Sequence, residues 1–544
     1  MQKRDQLFDL IHSMSKAEKR IFKLRTQRQG EKNKYIELFD KLAAMDHYDE
    51  KALLAGIQNS YITRHLRQAK LYLRKSILRV LSDMYLHTNK LYETDMLLGA
   101  AAMLQHKMLY DQQFDTLIKA ERKARENGAV LDAMRSLTKQ MSALPFVYNE
   151  REKIEQEIDQ RYEDLQNIMA EVQAMIDYRW VQARMSVLLD TVGTPRDEAD
   201  LEEYHALMRL PRMQNPDFLD NPLCKVLHCD ISYNYSLITK NWAAAERAAK
   251  GQVEIATTHP AFEHVLPRFL VRLSQVYMSL LDYVKFNELK NRAFELNTGA
   301  MQLPRDIRHL FNVFNIQLLS HCGRFEDAYA ACRSAAQEMR DAPPSITRGM
   351  EITTYYHFFY ACFGAGNFKE ALDWLRRITE YPAQEMRTDI GCFAHIAKLI
   401  THFELGDMSA MDYILRSCYR HLSRKKRIFF IETLVMDFIS ELNYSATPGN
   451  LNHLFRRYRE KLQAIRDNRT ENAILGLFHL DCWLASKIEQ RPFPALVREM
   501  AGKRRAFHLE NYDRETSVHP MPDKPNIDAP LNAEPALNGR TGSM

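Results

Sequence analysis

Residues Tyr355–Ile378, YYHFFYACFGAGNFKEALDWLRRI, decide the fold. Tyr355, Phe358, Phe359 and Cys362 fall at i, i+3, i+4 and i+7, which puts them on one face of a helix. Gly366 follows where that helix has to end, because glycine enters the left-handed conformation of a helix C-terminus without a Cβ penalty. Asn367 suits an N-cap. Phe368, Ala371, Leu375 and Ile378 then line one face of a second helix. The small Ala371 lets the two helices approach, and Phe368 is expected to fill the gap beside the turn. Neither helix can bury its face alone, so the pair predicts neighbours of the same kind.

Such neighbours are present. His321-Cys322-Gly323-Arg324-Phe325-Glu326-Asp327-Ala328 aligns with Gly364–Ala371, and Cys332 and Ala335 continue its second helix. Glu404-Leu405-Gly406-Asp407-Met408 aligns again, followed by Met411, Leu415 and Cys418. Weaker copies turn at Lys240-Asn241-Trp242 and at Val284-Lys285-Phe286, and a further one near Met108-Leu109-Tyr110. Aligned turn positions at 240, 284, 323, 366 and 406 give steps of 44, 39, 43 and 40 residues.

The Gly-x-aromatic-x-x-Ala turn resembles the second-helix pattern of the tetratricopeptide repeat (TPR) family. Gly323, Phe325, Ala328 and Ala335 match it best, then Gly366, Phe368 and Ala371. The steps exceed that family's repeat of about 34 residues, so helices or loops are extended. The chain is also similar to a group of large bacterial helical proteins that carry an SKAEKRIFKL-type segment ahead of TPR-like repeats. The resemblance implies an all-α fold, a right-handed α-α superhelix (a TPR-like solenoid), here preceded by a small basic helical module. It also implies that the first helix of each repeat lines a concave wall. At those positions stand Tyr356, Tyr360, Phe363, Phe393, Ile396, Ile400 and Phe403. They form either a groove for a peptide or amphipathic helix, or packing between extended helices. The Lys and Asn of the family's carboxylate clamp are represented only by Asn234, so capture of a peptide C-terminus is not expected.

Composition agrees with an all-helical chain. Gly and Pro number only 18 and 19 in 544 residues, and no sustained period-2 alternation occurs. No apolar run approaches 18 residues, so no membrane span is expected. MQKRDQLFDLIHSM lacks a signal-peptide apolar stretch. The eight cysteines are scattered with no CxxC, which predicts free thiols and a cytoplasmic setting.

The N-terminal 1–90 reads as a separate basic module. Ser15-Lys16-Ala17-Glu18 is a capping box, and a long helix over about 61–86 carries a core stripe at Leu66, Ala69, Leu73 and Ile77. From Lys51 to Ser82 there is no acidic residue, and residues 1–82 hold 18 Lys and Arg against 9 Asp and Glu. That segment nets +9, so the other 462 residues net −4. Arg64, Arg67, Lys70, Arg74, Lys75 and Arg79 are the candidate contacts for a polyanion. The alternative is a solvated face, or pairing with acidic helices behind it.

Residues 91–215 read as irregular hairpins, with two or more helices over 148–192, a helix from Thr194-Pro195 to about Leu210, and a loop from Pro211 to Pro222. The acids between Glu150 and Asp164 alternate with Arg151, Lys153 and Arg161, the pattern of a salt-bridged surface. Regular repeats occupy 216–421. Cys224, His228 and Cys229 share a helix face, but their spacing matches no zinc pattern, and Cys392 and His395 fare no better. Capping helices fill 422–503; one is expected to start at Ser423 and to carry Arg424, Lys425, Lys426 and Arg427 in its first turn, a lesser candidate for a charged partner. The Pro-rich 504–544 reads as a disordered tail. No P-loop, GxSxG or HExxH is present, so a non-enzymatic protein without cofactor is expected. The leading function is a protein- or peptide-binding scaffold. The alternative is a nucleic-acid-associated or regulatory protein using the basic module.

Overall fold

The computed structural model describes residues 5–27, 34–45, 48–88, 92–296, 303–341, 343–381, 387–425, 427–442, 448–464 and 476–518. Among these every regular element is helical and neighbouring helices pack on one another, an arrangement compatible with a helical repeat. No described helix is long and apolar enough to cross a membrane. The chain divides into two compact units, Met1–Met169 and Ala170–Met544.

The first unit opens with α1 (Gln6–Ser13), α2 (Lys16–Gln27), α3 (Lys34–Ala44), α4 (Glu50–Gly56), α5 (Ser60–Arg64) and α6 (Leu66–Thr88). Leu7, Ile11, Phe22, Leu38, Phe39, Leu42, Leu53, Ile62, Ala69, Leu73 and Ile77 form their common core. The capping box forms as read: Ser15 N–H donates to Glu18 Oε2 at 2.6 Å, and Glu18 N–H donates to Ser15 Oγ at 3.2 Å. Next come α7 (Glu93–His106), α8 (Tyr110–Glu126) and α9 (Val130–Val147). Then α10 runs unbroken from Arg151 to Thr191, 41 residues where two or more helices were expected. No Gly or Pro interrupts it, and i,i+4 pairs such as Arg151–Glu155 at 2.8 Å support its first turns.

In the second unit, α11 (Glu198–Met208) starts four residues later than Thr194 because Asp197 is its N-cap, accepting from the Asp200 N–H. A short α12 (Pro211–Gln214) occupies part of the expected loop. Pairs follow: α13 (Pro222–Ile238) with α14 (Trp242–Thr258), α15 (Leu266–Ser279) with α16 (Tyr283–Glu295), α17 (Arg305–His321) with α18 (Phe325–Asp341), α19 (Arg348–Gly364) with α20 (Phe368–Thr379), and α21 (Thr388–Glu404) with α22 (Met408–Lys425). The unit ends with α23 (Phe430–Leu442), α24 (Pro448–Gln463), α25 (Leu480–Glu489) and α26 (Phe493–Val518).

One turn joins most of these pairs. Lys240, Leu281, Gly323, Gly366 and Gly406 all have positive φ, and so do Met108 and Gly128 in the first unit. At each, the next residue's N–H reaches five residues back: Arg324 to the Leu319 carbonyl at 2.9 Å, Asn367 to Cys362 at 2.9 Å, Asp282 to Tyr277 at 2.8 Å. This is the Schellman closure. The turn expected at Val284 lies at Leu281, so the steps become 41, 42, 43 and 40 residues and the period is more regular than the sequence alignment gave.

Three sequence expectations change. Phe368 is half-buried, whereas Phe325 is buried against Gly364, where an added Cβ would lie 1.9 Å from its ring. Ser423 lies inside α22, so Arg424 and Lys425 fill a last turn, where positive charge is favourable. The helix of α26 continues through 504–518, which contains no Gly or Pro; the Pro-rich remainder of the expected tail, 519–544, lies outside the described residues.

Candidate nucleic-acid interface

Asp49 caps α4 through the N–H groups of Lys51 and Ala52 at 2.8 and 3.3 Å, and Asn59 caps α5 through the Tyr61 N–H at 3.0 Å. Between them Ile57, Gln58 and Asn59 form a short connection, extended at Ile57 and Asn59. Ile57 is buried, and the Gln58 N–H donates to Glu37 Oε1 at 2.6 Å, which ties the connection to α3. His65 bends the axis at φ −124°, ψ 38°, yet hydrogen bonding passes through it, from the His65 N–H to Tyr61 O at 3.0 Å and from the Ala69 N–H to His65 O at 2.9 Å. The α5–α6 segment is thus one slightly bent helix entered through a three-residue connection from α4.

Ile62, Ala69, Leu73 and Ile77 anchor that helix to the core. Arg64, Arg67, Arg74, Lys75 and Arg79 stand exposed on the remaining surface and make no ion pair among the described residues. His65, Gln68, Leu71, Tyr72 and Leu78 are exposed between them. Lys70 is different. Its Nζ lies 2.8 Å from Asp5 Oδ2 and 3.8 Å from Glu50 Oε2, hydrogen-bonds the Tyr48 hydroxyl, and sits 4.3 Å from the Tyr48 ring centroid. Burial, then the bond to Glu50, pushes the Tyr48 phenol above its usual range. Lys70 is therefore committed inside the protein, and five of the six cations read from the sequence share the open face.

The aromatic wall has a different fate. Tyr356, Tyr360, Phe363, Phe393, Ile396 and Ile400 come together as read, but all are buried, and Phe403 is half-buried. The chain's own C-terminal segment packs on Tyr360, Phe363, Phe393 and Phe403. The Phe478 ring centroid lies 5.5, 5.2 and 6.1 Å from those of Tyr360, Phe363 and Phe393, and Trp483 lies 5.8 Å from Phe403. The Tyr360 hydroxyl bonds His479 Nδ1. An external peptide would have to displace 478–483 to reach those four rings. The sequence reads Phe478, Leu480, Trp483 and Leu484 as a buried end cap, and all four are buried, but their spacing does not mark the face they cover.

Buried histidines surround that contact. His321 and His479 rings lie 5.0 Å apart. Burial takes His357 and His479 down to about 3, and burial with the neighbouring His479 and Arg504 takes His321 well below its usual value. The Cys224 and Cys392 thiols are pushed up to about 11 by burial. His395 stacks on His421 at 4.0 Å. Among the described residues no group of three or more His, Cys, Asp or Glu is placed to hold a metal. In the lesser basic cluster, Arg427 is held by Asp200 at 2.5 and 2.8 Å, and Lys426 lies outside the described residues.

No protein-family model, curated protein or solved structure matches this chain. The open cationic helix therefore has to be read from its own chemistry.

Proposed function

We propose that this protein binds nucleic acid through α5–α6 and is not an enzyme, with a TPR-like superhelical array making up most of the rest. The observation that carries the reading is the set of five exposed cations at Arg64, Arg67, Arg74, Lys75 and Arg79, which make no ion pair among the described residues, with no acid between Lys51 and Ser82. A solvated helix face ordinarily mixes signs, as α10 does; a face of one sign attracts polyanions and releases their counterions. The regular turn period from Lys240 to Gly406 supports the repeat reading. Eight free thiols, six of them buried, are compatible with the cytoplasm.

The test is a salt titration of the full chain against duplex DNA, single-stranded DNA and RNA. Each phosphate neutralised contributes about 0.9 to the slope of log K against log salt on duplex DNA, so four or five of these cations in contact give an expected slope of about −3.6 to −4.5. Reversing Arg67, Arg74 and Lys75 to Glu should abolish binding. Absence of binding to all three polymers at low salt would sink the proposal.

A protein-binding scaffold is the second reading, favoured by Ile176, Trp180 and Val187, which stand exposed on α10 beside a cleft lined by Leu188, Glu203 and Leu210. Exposed tryptophan is the residue type that most often anchors an interface. If it does so here, Trp180→Ala loses a co-purifying partner and leaves stability unchanged.

A further inference from the structure

We infer that α4, the Ile57–Asn59 connection and α5–α6 dock on duplex DNA as a helix-turn-helix, with α5–α6 in the major groove reading base edges through Arg64, His65 and Gln68. The inference rests on the nucleic-acid reading and names its target. A basic face alone does not select among polyanions; the local architecture does.

Four observations on the unit's N-terminal helices converge. The connection is three residues long, extended at Ile57 and Asn59, and is tied down from inside by Ile57 and from α3 by Glu37. The second helix stands clear at its N-terminal end: Tyr61, Arg64, His65, Gln68 and Tyr72 follow one another at i, i+3, i+4, i+7 and i+11, all exposed and opposite the buried Ile62, Ala69 and Leu73. A major groove about 12 Å wide admits such a helix, and its N-terminal residues are the ones that meet the bases.

The side chains are also the right kind. Arginine can take guanine O6 and N7 with its fork, glutamine can take adenine N6 and N7, and an apolar side chain can meet the thymine methyl. Arg64, Gln68 and Leu71 supply all three on successive turns, and Leu71 is 62% exposed with no core role. Arg67, Arg74, Lys75 and Arg79 flank them and would meet phosphates on either side. Finally, the acid that could repel the backbone is already held: Glu50, at the start of α4, accepts from the Tyr48 hydroxyl at 2.7 Å and lies 3.8 Å from Lys70 Nζ. A lipid surface would favour a continuous apolar face. Here Arg74 and Lys75 separate the exposed Leu71 and Tyr72 from Leu78.

The experiment is selection by the full-length chain from a randomised duplex DNA library at physiological salt, with binding to the enriched duplex then measured against a scrambled duplex and single-stranded RNA. An enriched motif is expected. Arg64→Lys keeps the charge and removes the fork, so it should relax one position of the motif and reduce discrimination there about tenfold, with the salt slope unchanged. Gln68→Ala should relax a second position. Lys75→Ala should weaken all duplexes alike and lower the slope by about 0.9. Binding without any enriched motif, or equal competition by single-stranded RNA, overturns the groove-reading inference and leaves the nucleic-acid proposal standing. No binding to any polymer overturns both.

Discussion

Lys70 shows what single residues of this chain do and what sequence hides about them. It belongs to the same run of cations as Arg67 and Arg74, but the helical period sets it beside the core stripe, four residues after Leu66 and three before Leu73. Only the fold puts Asp5 at 2.8 Å and the Tyr48 ring beneath it. Both partners lie more than twenty residues away, so periodicity could not find them. Removing Lys70 leaves Asp5 without its counter-charge in a half-buried site. Lys70→Ala should therefore cost about 1–2 kcal/mol in urea unfolding, whereas Arg74→Ala, on open surface, should stay within about 0.5 kcal/mol. Equal effects would mean that Lys70 is as free as its neighbours. The same scale separates Phe325 from Phe368. Phe325 is buried against Gly364, so Phe325→Ala should cost about 3–5 kcal/mol and half-buried Phe368→Ala distinctly less. Gly364→Ala forces the Phe325 ring to move and should cost about 1–3 kcal/mol.

At the scale of elements, the helical pairs were legible because their faces follow the helical period and three of their turns carry Gly323, Gly366 and Gly406. The turns without glycine were harder to place. Lys240, Leu281 and Met108 adopt the same left-handed conformation against their own preference, with φ of 58°, 58° and 59°. The Schellman bonds compensate, so the geometry survives where the residue signal does not. The turn at Leu281 therefore lies three residues before the Val284 position that the residue pattern predicts. The conformational cost at a non-glycine left-handed residue is about 1–2 kcal/mol. Met108 is 74% exposed, so little surface is buried by its side chain. Met108→Gly should therefore raise stability by about 1 kcal/mol, a result that differential scanning calorimetry would show as a higher transition temperature for the Met1–Met169 unit. A decrease would indicate that the side chain, not the backbone, decides that position.

On the scale of the whole second unit, long-range closure dominates, and it was illegible. In a simple repeat array each pair touches only its neighbours. Here the Arg196 guanidinium meets the Glu432 carboxylate at 2.6 and 3.0 Å with both buried, and the Thr194 N–H donates to Asp389 at 2.9 Å. Such charges read as surface in a sequence, and their pairing across some two hundred residues leaves no periodic trace. Phe478 and His479 close the aromatic face in the same way. The closure carries a pH dependence whose direction is fixed. His357 and His479 are held near 3, His395 near 3 and His309 near 4, each chiefly by burial, and His321 is held well below its usual value. In the unfolded chain these rings take protons at about 6.5. Between about pH 6.5 and 4 the unfolded state binds more protons than the native one, so stability falls as pH falls, by up to about 1.4 kcal/mol per pH unit for each histidine. Asp389 acts in a lower window: burial raises its carboxyl, Arg387 more than offsets that, and its net lowering adds stability lost only below the ordinary carboxylate range. Unfolding free energy measured from pH 7 to 4.5 should drop steeply, and His357→Gln should flatten the slope by about one proton. An unchanged slope in that variant would mean that His357 titrates in the native protein as it does in the unfolded chain.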